Sequence, residues 1–271
     1  MPEVEIPQQL ADFTVLEKLG MGGNGTFYLA VPPARLGLST DRVVVKVFGG
    51  VCSDDAYRRG VRELRAFAAV VSPYLAGLYD AVLQGQFMYA MEYFPLGLLG
   101  SPARELSRDE KLAAIADAAR GVDALHEAGI AHANITPSSI MVTETGGKIS
   151  DLGLARVLAA DEPITSFAQP GAVQYMDPAL LAGDVPSRAT DIWSLGACLH
   201  RALTGDGVYG EVPDTQPLLA IRAALSTPPA LSENLDRDER TLIANCLALA
   251  GSRPSTAMEV AGRIDGLRSE E

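Results

Sequence analysis

Short runs of β-branched and aromatic residues dominate the first 95 or so positions. FTVLEKLG (13–20), TFYLAV (26–31), RVVVKVF (42–48) and QFMYAMEYF (86–94) predict strands bounded by Gly, Pro or Asp. One helical pattern interrupts them over 54–71, with Val61, Leu64, Phe67 and Ala68 at helical spacing. From about Leu106 the period changes: Leu112, Ile115, Ala116, Ala119, Val122, Leu125 and His126 recur every three or four residues, predicting a long amphipathic helix. Ser107 and Glu110 form a capping box at its start, and Gly129 supplies its stop. Further helical patterns cover 191–203, 217–224, 236–250 and 255–267. A strand-rich part followed by a helix-rich part, joined near PLGLLGS (95–101), predicts an α+β chain of two lobes with a cleft between them.

Composition narrows the chemistry. The 271 residues are 48% hydrophobic and 21% charged, an ordinary globular balance. Acids outnumber bases 34 to 22, a net charge of −12 that repels nucleic acid and anionic lipid. No apolar run reaches the roughly 18 residues of a membrane span, so no membrane insertion is expected. The start, MPEVEIPQQLADF, lacks the basic and apolar regions of a secretion signal. Cys52, Cys198 and Cys246 are odd in number and far apart, which fits reduced, buried thiols in a cytoplasmic protein.

The segment Leu19-Gly20-Met21-Gly22-Gly23-Asn24-Gly25-Thr26-Phe27 holds a G-x-G-x-x-G spacing. A dinucleotide fold requires a helix directly after the glycines, whereas TFYLAV reads as a strand. The glycines are therefore expected in a hairpin whose N–H groups cover phosphates. Lys46 ends the apolar run Val43-Val44-Val45, and the chain has only four lysines. A buried ammonium needs a partner, and Glu63, on the helix 17 residues later, is the candidate.

Taken with the segments at 91–94, 132–139, 151–153 and 191–196, these residues resemble the eukaryotic-type (Hanks-type) serine/threonine protein kinases, above all their bacterial members. The resemblance covers roughly 13–264 and implies a bilobal kinase-like fold, with an N-lobe over about 13–95, a C-lobe over about 96–264, and short extensions at 1–12 and 265–271. It implies that Gly20, Gly22 and Gly25 cover ATP, that Lys46 holds its α- and β-phosphates, and that Glu63 holds Lys46. Leu19, Phe27, Val44 and Met141 would line the adenine pocket, with Phe27 where the family usually has Val and Val44 where it usually has Ala. Met91-Glu92-Tyr93-Phe94 resembles the hinge: Met91 as gatekeeper, the Glu92 carbonyl and the Phe94 N–H facing adenine. Asp151-Leu152-Gly153 resembles the metal-binding D-F-G. Asp191-Ile192-Trp193-Ser194-Leu195-Gly196 matches the long central helix, and Arg253-Pro254 the family's late arginine.

The family's catalytic loop, H-R-D-L-K-P-x-N, here reads His132-Ala133-Asn134-Ile135-Thr136-Pro137-Ser138-Ser139. Asn134 stands at the catalytic base, and a neutral amide takes no proton. Base assistance is typically worth about 10²–10⁴-fold. Thr136 replaces the lysine that neutralises the transferring phosphoryl group. Ser139 replaces a metal-holding asparagine with a weaker, shorter ligand. Ala133 removes the arginine that reads activation-loop phosphorylation. Downstream, Ala172 removes the hydroxyl that bonds the missing lysine. Ala179 removes the glutamate that pairs with the position of Arg253, leaving that arginine to another acid or to solvent.

The expectation is a pseudokinase: kinase architecture that binds ATP, with one Mg²⁺ on Asp151 and weakly on Ser139, and poor or absent phosphoryl transfer. Its role would be a nucleotide-sensing regulatory or scaffolding module, cytoplasmic or the cytoplasmic domain of a larger membrane protein. An atypical active kinase and a structural module without nucleotide are the alternatives. The polar segment 161–170 offers Thr165 and Ser166 for phosphorylation by another kinase and reading by a phosphopeptide-binding domain. His126 and His200 are expected at the core edge or surface, His132 packed beneath the cleft, and Asp236-Arg237-Asp238-Glu239 as a solvated helix start.

Overall fold

The computed structural model describes residues 6–22, 25–49, 53–150, 170–212 and 216–268. The chain divides into two compact units. The first contains, of these, residues 6–69 and 76–93, and the second 70–75, 94–150 and the remainder.

The first unit is a six-stranded antiparallel sheet and one helix. Its strands are β1 (Gln9–Leu10), β2 (Phe13–Gly22), β3 (Gly25–Val31), β4 (Val43–Phe48), β5 (Leu78–Gln84) and β6 (Gln86–Glu92), in the order β1-β2-β3-β4-β6-β5. β4 is central and buried throughout, as its continuous apolar run requires. Alternation along it sends Val43, Val45 and Val47 into a core with Phe13, Ala30, Met88 and Ala90, and turns Val44, Lys46 and Phe48 to the opposite face. α1 (Asp54–Ala68) starts where Ser53 accepts the Ala56 N–H at 3.2 Å, with Asp54 and Asp55 in its first turn. It ends at Ala68, short of the expected 71: Pro73 disfavours helical backbone at the residue before it, and the Ser72 hydroxyl accepts the Tyr74 N–H at 3.3 Å in a turn.

The second unit is built on α2 (Arg108–Glu127), whose Leu112, Ile115, Val122 and Leu125 are fully buried. The capping box forms as expected: the Ser107 hydroxyl accepts the Glu110 N–H, and the Glu110 carboxylate accepts the Ser107 N–H at 2.8 Å. Gly129, just beyond the helix, takes φ 76°, a left-handed value that suits glycine. β7 (Gly97–Leu98), β8 (Ser101–Pro102), β9 (Ile140–Val142) and β10 (Gly147–Ile149) form a small sheet in the order β10-β9-β7-β8. The remaining described helices are α3 (Pro170–Val173), α4 (Pro178–Leu181), α5 (Arg188–Thr204), α6 (Pro217–Ser226), α7 (Arg237–Cys246) and α8 (Ala257–Asp265). None of the described helices is long and apolar enough to cross a membrane. α7 ends before the expected 250 because the Arg253 Nε–H takes the Ala248 carbonyl at 2.8 Å and a 3-10 turn follows at Ala250–Ser252.

Two expectations about charged and polar groups change. His126 and His200, expected at the core edge or the surface, are buried: Nδ1 of His200 lies 2.9 Å from the Asp206 carbonyl, and Nε2 accepts the Ser232 N–H at 3.0 Å. Glu239, expected within a solvated run, is also buried, accepting from the Arg108 guanidinium at 2.8 Å while completing the Asp236 capping box. Tertiary partners, invisible to local pattern, draw both groups inward.

Candidate functional site

Antiparallel register assembles the site of the first unit, because residues paired directly across strands share a face. Phe27 of β3 pairs with Lys46 of β4, which in turn pairs with Tyr89 of β6. One step along, Val44 pairs with Leu29 and with Met91. Phe27, Val44, Lys46 and Met91 therefore share one face of the sheet, on three different strands. Glu92 lies on the other face, opposite Val43, where its carboxylate accepts the Gly77 N–H at 3.0 Å and its own N–H donates to the Gly77 carbonyl at 2.8 Å. Leu19, on β2, is exposed.

The glycine segment forms the expected hairpin. Gly22 pairs with Gly25; residues 23 and 24 lie outside the described residues. Gly25 answers a packing constraint: a Cβ there would stand 2.8 Å from the Val47 carbonyl oxygen and 3.3 Å from Lys46 Cγ and Cε. Its lack of a side chain lets β3 cross the stem of Lys46.

Lys46 is 1% exposed. Its ammonium lies 4.9 Å from the centre of the Phe27 ring and 5.0 Å from that of Phe48, distances at which the ring quadrupoles attract it. Phe48 also neighbours Tyr89 and Phe87, at centroid separations of 6.0 and 5.6 Å. Glu63, the expected partner, is half-buried on α1. Phe48 and Tyr89 belong to the surroundings of Lys46 although sequence reasoning missed them. For Phe48 a signal existed, since alternation puts the residue two beyond Lys46 on its face; for Tyr89 the information lay in the register.

In the second unit the catalytic-loop segment is held by one buried carboxylate. Asp191, in the first turn of α5, accepts the His132 N–H at 2.7 Å on Oδ2 and the Ala133 N–H at 2.9 Å on Oδ1, and its Oδ2 lies 2.8 Å from His126 Nε2. Ala133 is thereby kept at φ 63°, a left-handed conformation that alanine seldom adopts. His132 is fully buried, as expected. Its Nδ1 accepts the Asn134 N–H at 3.3 Å, and its Nε2 lies 3.0 Å from the Ser150 carbonyl. The Ser139 hydroxyl is committed to the loop: it accepts the Thr136 N–H at 3.0 Å and donates to the Thr136 carbonyl at 2.9 Å. A hydroxyl has one proton and two lone pairs, so a buried Ser139 keeps one lone pair, a poor basis for a metal ligand. Asp151, the other metal candidate, lies outside the described residues, as do Thr165, Ser166 and Cys52. Among the described residues no cluster of His, Cys, Asp and Glu has the makings of a metal site. Met141 is buried on β9, opposite Lys148; the Lys148 ammonium stands 5.8 Å from the Phe94 ring centre.

Arg253 has found another acid. Its Nη1 donates to Asp177 and to the Ala189 carbonyl (2.7 Å), and its guanidinium sits 5.1 Å from the Trp193 ring centre. Asp177 also caps α4, accepting the Ala179 N–H at 2.9 Å. An acid two residues earlier thus takes the place left empty by Ala179. Nearby, burial pushes the Tyr175 hydroxyl up to about 12. Burial likewise raises the free thiols of Cys198 and Cys246, the latter to about 12, which leaves them protonated and inert.

The protein kinase domain family matches residues 13–263, nearly the whole chain. The chain belongs to that family. Among its relatives are two serine/threonine-protein kinases of Mycobacterium tuberculosis strain H37Rv. PknK is 30% identical over 94% of this chain and 24% of its own length, and PknB is 30% identical over 89% and 40%. PknB of Mycobacterium leprae is 28% identical over 97% of this chain and 44% of its length. The chain thus spans less than half of the curated relatives it matches, and the kinase domain is what they share. A strand-rich first unit and a helical second unit are those of the bilobal kinase fold. In general a kinase domain binds ATP and Mg²⁺. Here the hairpin glycines and Lys46 fit a triphosphate in chemistry, but the ammonium already faces two aromatic rings.

Proposed function

We propose that this kinase domain is catalytically impaired: a pseudokinase that binds ATP, with a single Mg²⁺ on Asp151, and serves signalling as a regulatory or scaffolding module. The carrying observation is the catalytic-loop segment. Asp191 clamps its backbone, His132 and Ser139 brace it from within, and yet position 134 carries an amide. A frame kept this intact around a missing base favours selection for shape over turnover. The loss of base and phosphate lysine together lowers transfer by about 10⁴-fold or more on an additive scale. The acidic, apolar-cored chain suits protein partners in the cytoplasm, alone or as the cytoplasmic part of a larger membrane protein. Thr165 or Ser166, once phosphorylated by another kinase, would present a ligand to a phosphopeptide-binding domain.

The test is transfer of radiolabelled phosphate from ATP to a generic protein substrate. Wild type and Lys46→Met are expected to give the same background; wild-type labelling at several turnovers per second, abolished by Lys46→Met, refutes the reading. The aromatic contacts of Lys46 favour one second reading, a structural module without nucleotide. Thermal stability measured with millimolar ATP·Mg²⁺ separates the two, since bound ligand raises the melting temperature.

A further inference from the structure

The ring of Phe27 lies against the glycine hairpin at Gly22. It stands opposite Lys46 in the strand register, with its centre 4.9 Å from the ammonium. At its other side it reaches Gly22, where a built Cβ would meet Phe27 Cε2 at 3.6 Å. The Lys46 stem runs beneath Gly25, and Phe48 flanks the ammonium at 5.0 Å. One ring thus bridges from hairpin to ammonium. A phosphate oxygen on Lys46 needs an approach of about 2.7–2.9 Å to Nζ. The space between Gly22 and the ammonium is where the Phe27 ring sits.

We propose that Phe27 plugs the phosphate site and gates it, so that nucleotide enters only when the ring swings away from Lys46. This rests on the reading that the hairpin and Lys46 hold ATP. The ring's attraction for the ammonium favours the closed arrangement, and binding affinity falls by the fraction of molecules that are open. Phe27 is then a positioning residue for Lys46 in the closed state and the determinant of nucleotide affinity, with ATP itself as the opening ligand.

Phe27→Val removes the ring and keeps a strand-compatible, β-branched side chain. Calorimetric titration with ATP·Mg²⁺ is expected to give a Kd about tenfold lower for the variant than for wild type, the scale of one lost cation–π contact. Equal or weaker binding by Phe27→Val, with both proteins binding, overturns the plug and leaves the nucleotide reading standing. Binding by neither up to millimolar ATP overturns both. A second measurement needs no variant that binds. In protein carrying ¹³C-labelled lysine, with four lysines to resolve and Lys46→Arg for assignment, ring currents are expected to displace the Lys46 ε-methylene upfield. That displacement should shrink in Phe27→Val and on adding ATP·Mg²⁺ to wild type. A Lys46 signal at its ordinary position in wild type, or one that Phe27→Val leaves unmoved, overturns the plug whatever nucleotide does.

Discussion

Replacing Asp177 with alanine removes the acid that took over from position 179. The side chains of Asp177 and Arg253 are 3% and 5% exposed, so the guanidinium would be left buried with two backbone carbonyls and the face of Trp193 as its partners. Losing one partner of a buried ion pair costs about 3–5 kcal/mol. Losing the cap on the Ala179 N–H adds about 1 kcal/mol. That sum is a large part of the roughly 5–15 kcal/mol holding a domain together. Asp177→Asn is the gentler probe: it keeps a capping oxygen, forfeits the charge and is expected to cost about 2–3 kcal/mol. Urea unfolding followed by circular dichroism reads both, through the midpoint at constant slope. Asp177→Ala combined with Ala179→Glu should recover part of the loss, because a carboxylate returns within one turn of the original. If both single variants unfold within about 0.5 kcal/mol of wild type, the range of an ordinary surface change, the pair does not anchor this segment and the argument for relocation fails.

Two further predictions concern stability. Burial lowers the pKa of His200 below 6.5, against the opposing pull of Asp206 and with Arg201 and Arg240 acting in the same direction as burial. The unfolded chain then takes up a proton that the folded one resists, so stability drops as pH falls below about 6.5, by at most about 1.4 kcal/mol per pH unit. His200→Gln, which retains an acceptor for the Ser232 N–H, is expected to flatten unfolding free energy between pH 7.5 and 5.5; an unchanged slope refutes the assignment. Ala133→Gly relieves a left-handed residue at φ 63°. Against a penalty of about 1–2 kcal/mol for alanine there, glycine's extra freedom in the unfolded chain returns about 0.4–1 kcal/mol. The melting temperature should rise by one or two degrees, and a fall would show that the strain is not real.

The predicted strands at 13–20, 26–31, 42–48 and 86–94 correspond to β2, β3, β4 and β6, because alternation and β-branching are local signals. β5 carries no such signal. Asp80 sits within it at a register irregularity between Leu78 and Asp80, and its residues are half-buried, so no clean period of two survives. The Ser107–Glu110 capping box was legible for the same local reason as the four strands. The catalytic loop's missing carboxylate was equally plain, since it is a matter of residue identity.

Identity, period and cap chemistry are properties of neighbours along the chain, and from them the sequence determined the kinase family, the order of its elements and the amide at position 134. Partners were another matter. That Arg253 pairs with Asp177, that Asp191 grips the catalytic-loop backbone, and that the rings of Phe27 and Phe48 flank the Lys46 ammonium were decided only in the tertiary structure. A buried charge takes whichever group the packing brings within a few ångströms. That choice depends on strand register and helix placement, which sum weak contacts over the whole domain and leave no mark at the position itself.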